Sequence, residues 1–237
     1  MTIIMPSLFK IPRIYQTLVE LSNCEWVDEI ILIDNTPNTK KLDLPKLNHI
    51  CEGNNTYINP AWNKGAALAS TDCLCFLNDD VWFDWSNLKA ISEFVTKDVG
   101  MVGMSTENYK SEVINRYQVA TNIDNNFGFK LIEPTYKSSK GERPLGFACC
   151  FFIHKDNWVD IPHEIKLWAG DDWQFYANPN KNYVIEGLKC EGSIASTLDD
   201  KSLEVEFNPI KHNDMLLIAQ KIKEGYIDNY LIGTKWV

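Results

Sequence analysis

Two short acidic segments are the first candidates for chemistry in this sequence. They are Asn78-Asp79-Asp80, directly after the apolar run Cys73–Leu77, and Asp171-Asp172, directly after Gly170. Neighbouring carboxylates repel one another unless a cation or a proton relieves them. Mg²⁺ and Mn²⁺ prefer oxygen ligands, and a positioned carboxylate can remove the proton of a reacting hydroxyl. The residue types therefore suggest a divalent-metal site at the first segment and a general base at the second.

Each segment also has a structural interpretation. Asn-Asp sequences form turns that cap a following helix, and such a helix would begin here near Asp84. Acidic residues are also common in the first turn of a helix, where they complement its dipole, and Asp171 and Asp172 open a helix-like stretch. The residue types alone leave both interpretations open, and at the second segment the two uses can coexist.

The first hundred residues alternate short apolar runs with helix-like stretches, which predicts βαβ units. Strands are predicted at 2–5, 29–33, 56–59, 73–77 and 99–104, and helices at 12–22, 61–69 and 85–97. Nearly continuous apolar runs are typical of parallel strands covered on both faces, so we expect an open α/β sheet. Ligands bind such sheets beyond the carboxyl ends of the strands. The residues expected at those ends are Pro6-Ser7, Asp34-Asn35, Asn59 and Asn78-Asp79-Asp80.

The second half of the chain has a looser pattern. Residues 108–143 are polar and predict long loops or a flexible flap. Order resumes with a predicted strand at 145–153, a short helix at 155–159, a helix at 169–177, a strand at 183–186 and an amphipathic helix at 208–223. No internal repeat and no domain boundary stand out, so we expect a single domain.

Composition narrows the function classes. The chain has 237 residues, of which 45% are apolar, enough for a sizeable core, and a formal net charge of −9 that disfavours nonspecific nucleic-acid binding without excluding it. No apolar run is long enough to cross a membrane, and the N-terminus lacks the basic start of a secretory signal, so we expect a cytoplasmic protein. Seven cysteines without a CxxC pair predict reduced, mostly buried thiols, and a zinc site is not expected.

Four motifs in order resemble the GT-A glycosyltransferases of the family 2 type. The matching segments are Thr2–Ser7, Glu29–Asn35, Asn59–Ala69 and Cys73–Val81. The resemblance implies a GT-A type open, twisted, mostly parallel sheet flanked by helices. It also implies a nucleotide-sugar-binding half at 1–107 and an acceptor-binding half at 108–237, which would contain the flexible loop 108–143 and the C-terminal helix.

The resemblance assigns expected roles around the sugar donor. Pro6 and Ser7 would lie along the nucleoside, Asp34 would bind the base, Asn63 and Gly65 would shape the pocket floor, and Gly146 would let the backbone approach the donor sugar. Asp80 would be the main ligand of Mn²⁺ or Mg²⁺, with Asp79 secondary, and Asn78 stands where an Asp-X-Asp signature has aspartate. For Asp34 a strand-end turn, and for Asn63 a helix start, remain alternatives.

The resemblance also assigns the acceptor side. Asp172 would be the base, and Asp171 would orient Asp172 or the acceptor. Trp168 or Trp173 could offer a stacking platform for a sugar, although most tryptophans are core residues. His212 and Glu191 are speculative third metal ligands, because the histidine common in the family is missing from Cys190–Ser196.

The implied function is inverting, metal-dependent transfer from a nucleotide-diphosphate sugar, with UDP the commonest nucleotide, to an acceptor hydroxyl. The acceptor could be a glycan, a lipid-linked sugar, a protein or a hydroxymethylated DNA base. Two other functions are compatible with the same fold. A sugar-phosphate nucleotidyltransferase would need a glycine-rich loop after the first strand, and Ser7–Pro12 contains no glycine. The second alternative function is that of a non-catalytic module that binds a sugar or a nucleotide.

Overall fold

The structure, a computed structural model, describes residues 1–37, 40–104, 127–131, 147–192 and 201–224. The strands are β1 Thr2–Ser7, β2 Glu29–Asp34, β3 Leu47–Cys51, β4 Cys73–Leu77, β5 Val81–Trp82, β6 Val99–Met104, β7 Gly128–Leu131, β8 Cys150–His154, β9 Lys181–Glu186 and β10 Glu191–Gly192. The helices are α1 Ile14–Asn23, α2 Ile58–Leu68, α3 Leu88–Phe94, α4 Gly170–Ala177 and α5 Lys201–Lys223. Short 3₁₀ turns occupy Trp85–Asn87, Phe147–Cys149 and Lys155–Asn157.

Eight strands form one sheet in the order β3-β2-β1-β4-β8-β6-β9-β7, and β5 pairs with β10 in a separate ribbon. Strands β3, β2, β1 and β4 are parallel, as are β6 and β9, whereas β8 runs antiparallel to both of its neighbours and β7 runs antiparallel to β9. The predicted open, mostly parallel sheet flanked by helices is confirmed. Its parallel half brings the carboxyl ends of β1, β2 and β4 to one edge.

The sheet separates two apolar cores, and β1 contributes to both. Ile3 and Met5 pack into the core that includes residues of α1 and α3, whereas Ile4 packs into the core that includes residues of α2, α4 and α5. Successive side chains of a strand point to opposite faces. A strand covered on both faces therefore needs apolar residues at consecutive positions, which explains the continuous apolar run at the N-terminus.

The third strand lies at Leu47–Cys51, so the strand predicted at 56–59 is wrong. Its sequence, LNHIC, carries no continuous apolar run because β3 is an edge strand whose one fully buried side chain is that of His49. The segment 56–59 instead leads into α2, and Asn59 is therefore in the first turn of a helix rather than at a strand end.

The second half differs from the sequence-based expectation at several places. The strand predicted at 145–153 begins at Cys150, after a 3₁₀ turn at Phe147–Cys149, and the short strand β10 was not predicted. β7 lies inside the range predicted as loops, and of that range the structure describes only residues 127–131. Helix α5 starts at Lys201 rather than at 208 and continues through Pro209. Phe207 is buried and contacts the ring of Tyr57, so tertiary packing stabilises the turns that precede Pro209. Within the described ranges, no helix is both long and apolar enough to cross a bilayer.

Candidate functional site at the carboxyl edge of the parallel strands

The acidic turn Asn78-Asp79-Asp80 connects β4 to β5. The backbone N–H of Asn78 donates to the carbonyl of Cys149 at 3.0 Å, and the N–H of Val81 donates to the carbonyl of Asn78 at 3.2 Å. The cap of the next 3₁₀ turn is supplied by Asp84, whose Oδ1 accepts the N–H of Ser86 at 3.0 Å. The carboxylates of the acidic turn are therefore not needed as helix caps.

A side-chain hydrogen bond joins this turn to the end of β1. The parallel register pairs Thr2 with Leu74, and continued along both strands it puts Asp79 opposite Ser7. The Ser7 hydroxyl accepts the N–H of Phe9 at 2.8 Å and donates to Oδ2 of Asp79 at 2.5 Å. Pro6 and Ser7, predicted at the donor site, thus lie beside the predicted metal site.

Asp79 has a raised pKa of about 7. Burial is the main cause, the hydrogen bond from Ser7 acts in the opposite direction, and the negative charge of Asp80 raises the pKa further. Asp80 itself is 8% exposed. Two carboxyl groups crowded into one buried turn ionise together readily only when a positive charge is present. The turn therefore has the donor set and the electrostatics that suit a hard divalent cation.

Asp34, at the end of β2, is fully buried and held by several donors. Its Oδ1 accepts the N–H of Thr36 at 2.9 Å and the hydroxyl of the same residue at 2.6 Å. Its Oδ2 lies 3.1 Å from Nε2 of His49. The backbone N–H of Leu42 donates to Nδ1 of His49 at 2.9 Å, which fixes the ring as the Nε2–H tautomer. Asp34 is thus the acceptor that organises the end of β2 and the turn that follows.

Asp34, His49 and Cys51 also form a group whose potential metal-ligand atoms all lie within 4.8 Å of one another, in the part of the chain that the structure describes. The hydrogen bond from Leu42 argues against a metal there, because a ring whose Nδ1 accepts has its proton on Nε2 and no lone pair facing Asp34. Sequence reasoning missed His49, since the polar edge strand β3 that carries it was not predicted. The proximity of His49 to Asp34 comes from strand pairing, which pairs His49 with Leu32.

Asn63 and Gly65 have packing contacts in α2. The Asn63 amide donates to the carbonyl of Ile161 at 2.7 Å and accepts its N–H at 3.0 Å, which attaches α2 to the segment before α4. A Cβ on Gly65 would lie 2.3 Å from Cγ2 of Ile4, so glycine allows α2 to approach β1 closely. A place for either residue at a nucleotide stays a prediction.

The second acidic segment begins α4. Asp171 and Asp172 occupy its first turn and are 3% and 2% exposed. The residue before the helix, Ala169, has a left-handed backbone with φ of 59°. A Cβ on Gly170 would lie 2.0 Å from Oδ1 of Asn59, so α4 can start at this place only with glycine. The start of α4 is therefore fixed against the start of α2.

The remaining predicted residues lie on different elements of the structure. Trp173 is a core residue, and Trp168 is half-buried with the ammonium of Lys211 3.9 Å from its ring centroid. Glu191 lies in β10, which pairs with β5 just after the acidic turn, and His212 is exposed on α5. No group of three metal-ligating side chains among the described residues contains Asp80, Glu191 or His212, so the third ligand stays a prediction. Gly146 lies outside the described residues.

A sheet with an acidic turn at the carboxyl edge of its parallel strands, continued by a mixed parallel and antiparallel part, is the fold of the GT-A class of glycosyltransferases. Residues 2–159 match the profile of Glycosyl transferase family 2, and the chain belongs to that family. The resemblance inferred from the four motifs is confirmed.

Comparison with solved structures supports the fold. Residues 1–349 of S. aureus TarS superpose with a TM-score of 0.57 at 13% identity, covering 99% of this chain and 75% of that one. The same protein in complex with UDP-GlcNAc gives 0.52 at 14% identity, covering 81% of this chain and 57% of that one. The complex of TarS with UDP gives a TM-score of 0.51 at 13% identity, covering 99% of this chain and 75% of that one. No curated protein gives a significant match to this sequence.

Proposed function

We propose that this glycosyltransferase moves a sugar from a nucleotide-diphosphate donor, UDP-linked in the simplest case, to an acceptor hydroxyl with inversion and with a divalent cation. The observation that carries the proposal is the bond between Ser7 and Asp79. It joins the end of β1 to the acidic turn after β4, at the edge where open α/β sheets bind ligands. The UDP-GlcNAc and UDP complexes of the structurally similar TarS support a nucleotide-sugar donor.

The proposed cation, Mn²⁺ or Mg²⁺, would be held mainly by Asp80, with Asp79 in support. The raised pKa of Asp79 supports this assignment, because a nearby cation would stabilise the ionised pair. When bound, the cation supplies positive charge that offsets the charge developing on the leaving diphosphate. Asn78 carries no charge, so the turn holds two carboxylates rather than three.

The proposed base is Asp172, with Asp171 as the orienting group. The acceptor hydroxyl gives its proton to the Asp172 carboxylate as its oxygen forms a bond to the anomeric carbon. The bond from that carbon to the diphosphate oxygen breaks on the opposite face, and its electron pair leaves with the diphosphate. One displacement of this kind inverts the anomeric configuration.

The division of labour between the halves is also proposed. The family match ends at residue 159, and its four motifs lie in residues 1–107, which we assign to donor binding. Residues 108–237, which contain the acidic pair and α5, we assign to the acceptor. Cytoplasmic localisation stays a prediction. The predicted acceptor is a glycan or a hydroxymethylated DNA base, and the net charge of −9 disfavours the second of these.

Thermal shift with a panel of nucleoside diphosphates, with and without Mn²⁺, tests the proposal. A ligand at 100 times its Kd stabilises a protein by about 2.7 kcal/mol, which is about 5–10 °C in Tm for a chain of this size. We expect Asp80→Ala to lose the Mn²⁺-dependent shift. The matched control is Asp72→Ala, which removes an exposed carboxylate at the opposite end of β4.

Two outcomes would contradict the proposal. One is a panel in which no diphosphate binds with Mn²⁺, and the other is an unchanged shift in Asp80→Ala. Ligand binding without sugar transfer or donor hydrolysis, across a broad set of nucleotide sugars, would instead identify a binding module.

A further inference from the structure

The segment 166–168, directly before α4, has its three consecutive backbone N–H groups bound to one carboxylate. Oδ1 of Asp214 accepts the N–H of Lys166 at 3.1 Å. Its Oδ2 accepts the N–H of Leu167 at 2.6 Å and that of Trp168 at 2.8 Å. Asp214 is fully buried and lies on α5, which follows the segment by more than thirty residues in the chain.

The carbonyl groups of the same segment are held from the opposite side by Asn59. The backbone N–H of Asn59 donates to the carbonyl of Lys166 at 3.0 Å, and its side-chain amide donates to the carbonyl of Trp168 at 3.1 Å. Asn59 is in the first turn of α2. Two helices therefore hold the segment, one through its donors and the other through its acceptors.

The backbone between this segment and the acidic pair Asp171-Asp172 is short, so the position of the segment limits where the pair can lie. Only Ala169 and Gly170 separate Trp168 from Asp171, and Gly170 packs directly against the Asn59 amide. Charge-assisted bonds from N–H groups to a carboxylate are short and stronger than neutral ones. The first turn of α4 is thus tied through this segment both to Asp214 on α5 and to Asn59 on α2.

We propose that Asp214 is a positioning residue of the transfer reaction, through which α5 sets the position of Asp171 and Asp172. Its part in catalysis rests on the proposed function, while its hold on the segment does not. Lys211, one turn earlier on α5, adds a cation–π contact between its ammonium and the ring of Trp168. Asp214 lies beyond the residues that match the family.

The test compares Asp214→Asn with Ile218→Ala in the full chain. Asparagine has nearly the same shape, but it lacks the charge and turns an NH₂ group towards one or more N–H groups. We expect hydrogen exchange at the amides of 166–168 to accelerate at least tenfold, with exchange in β1 and β4 unchanged. We expect kcat for transfer to fall at least tenfold while KM for the donor and Kd for the nucleoside diphosphate stay within twofold.

Ile218→Ala is the matched control because Ile218 is buried one turn further along α5, in the apolar core. It should lower Tm without accelerating exchange at 166–168 and without lowering kcat. Asn59→Ala, which removes the bond to the Trp168 carbonyl, serves as the second variant if Asp214→Asn does not fold, and the same changes are expected in smaller degree.

Unchanged exchange at 166–168 in a folded Asp214→Asn would overturn the proposal, and if that variant does not fold, unchanged exchange in Asn59→Ala would do so. A loss of kcat no larger than that in Ile218→Ala would also overturn the positioning role. If the wild-type chain transfers no sugar, the proposed function fails, and the exchange experiment still decides whether Asp214 holds the segment.

Discussion

At the scale of single residues, the structure separates carboxylates that are satisfied by hydrogen bonds from those that are crowded. Asp34 and Asp214 are fully buried, and each accepts several donors from its own surroundings. Asp79 differs, because burial and the charge of Asp80 raise its pKa to about 7 in the absence of a cation. An ionised Asp79 therefore opposes folding of the metal-free protein, and a cation would remove that cost.

This difference predicts how Asp79→Asn changes stability with pH. The folded-state pKa is raised above the ordinary value of 3.8, so the stabilisation from a protonated Asp79 is complete below that value and is lost as pH rises through about 7. In EDTA, we expect Asp79→Asn to be more stable than wild type at pH 8 by up to about 4 kcal/mol, since the pKa rises from 3.8 to about 7 and each unit is worth about 1.4 kcal/mol. The free energies of unfolding of the two proteins should become similar near pH 4. Denaturant unfolding across this pH range measures the effect.

The control for this experiment is Asp72→Asn, a change at an exposed aspartate directly before β4. Its stability should follow the wild-type pH profile. A parallel profile for Asp79→Asn would show that the carboxyl group of Asp79 titrates normally. Addition of Mn²⁺ at pH 8 should stabilise wild type more than Asp79→Asn, so that wild type becomes the more stable of the two proteins.

At the scale of elements, segments with a clear apolar pattern could be predicted from the sequence. Segments whose structure depends on contacts with distant parts of the chain could not. Strands β1, β2 and β4 were predicted close to their observed bounds because both of their faces are buried, which requires continuous apolar runs. β3 was missed because an edge strand buries little, and its key residue His49 has no local signal. The extension of α5 depends on packing of Phe207 against Tyr57, residues far apart in the chain.

The candidate site shows the same division. The position of Asp79 and Asp80 at the end of a strand could be predicted because a strand-end acidic turn is a local pattern. The start of α4 at Gly170 could be predicted for the same reason. The contacts of Asp214 and Asn59 with residues 166–168 could not be predicted. They join segments about 45 to 110 residues apart in sequence, and a buried aspartate within a helix has the same local sequence context as an exposed one.

The contact between α2 and β1 yields a prediction at this scale. Alanine is favoured over glycine within a helix by about 1 kcal/mol, but a Cβ on Gly65 would lie 2.3 Å from Cγ2 of Ile4. Overpacking of a core costs about 1–3 kcal/mol. We therefore expect Gly65→Ala to lower the free energy of unfolding by up to about 2 kcal/mol, as measured by denaturant unfolding.

A double-mutant cycle supplies the control. Ile4→Ala removes the atoms that the new Cβ would meet, so adding Gly65→Ala to Ile4→Ala should cost nothing or stabilise the protein through helix propensity. Equal costs in both backgrounds would mean that α2 shifts away from β1 rather than overpacking.

At the scale of the whole molecule, the two acidic segments lie on different parts of the chain and are supported by different elements. The turn after β4 belongs to the family-matched region and is bonded to β1 through Ser7. The pair at the start of α4 lies after that region, and its support comes from α2 and α5. Donor binding and deprotonation of the acceptor should therefore be separable by mutation.

Asp172→Asn and Asp80→Ala together test this separation. Loss of a general base typically lowers a rate by about 10²–10⁴, so we expect Asp172→Asn to lose that factor in kcat while it binds the nucleoside diphosphate and Mn²⁺ as wild type does. Asp80→Ala should lose binding as well as turnover. Isothermal titration calorimetry measures the binding, and release of the nucleoside diphosphate in the presence of acceptor measures turnover. Near-normal turnover in Asp172→Asn would remove it as the base, and with Asp171→Asn active as well, the base would have to lie elsewhere in the molecule.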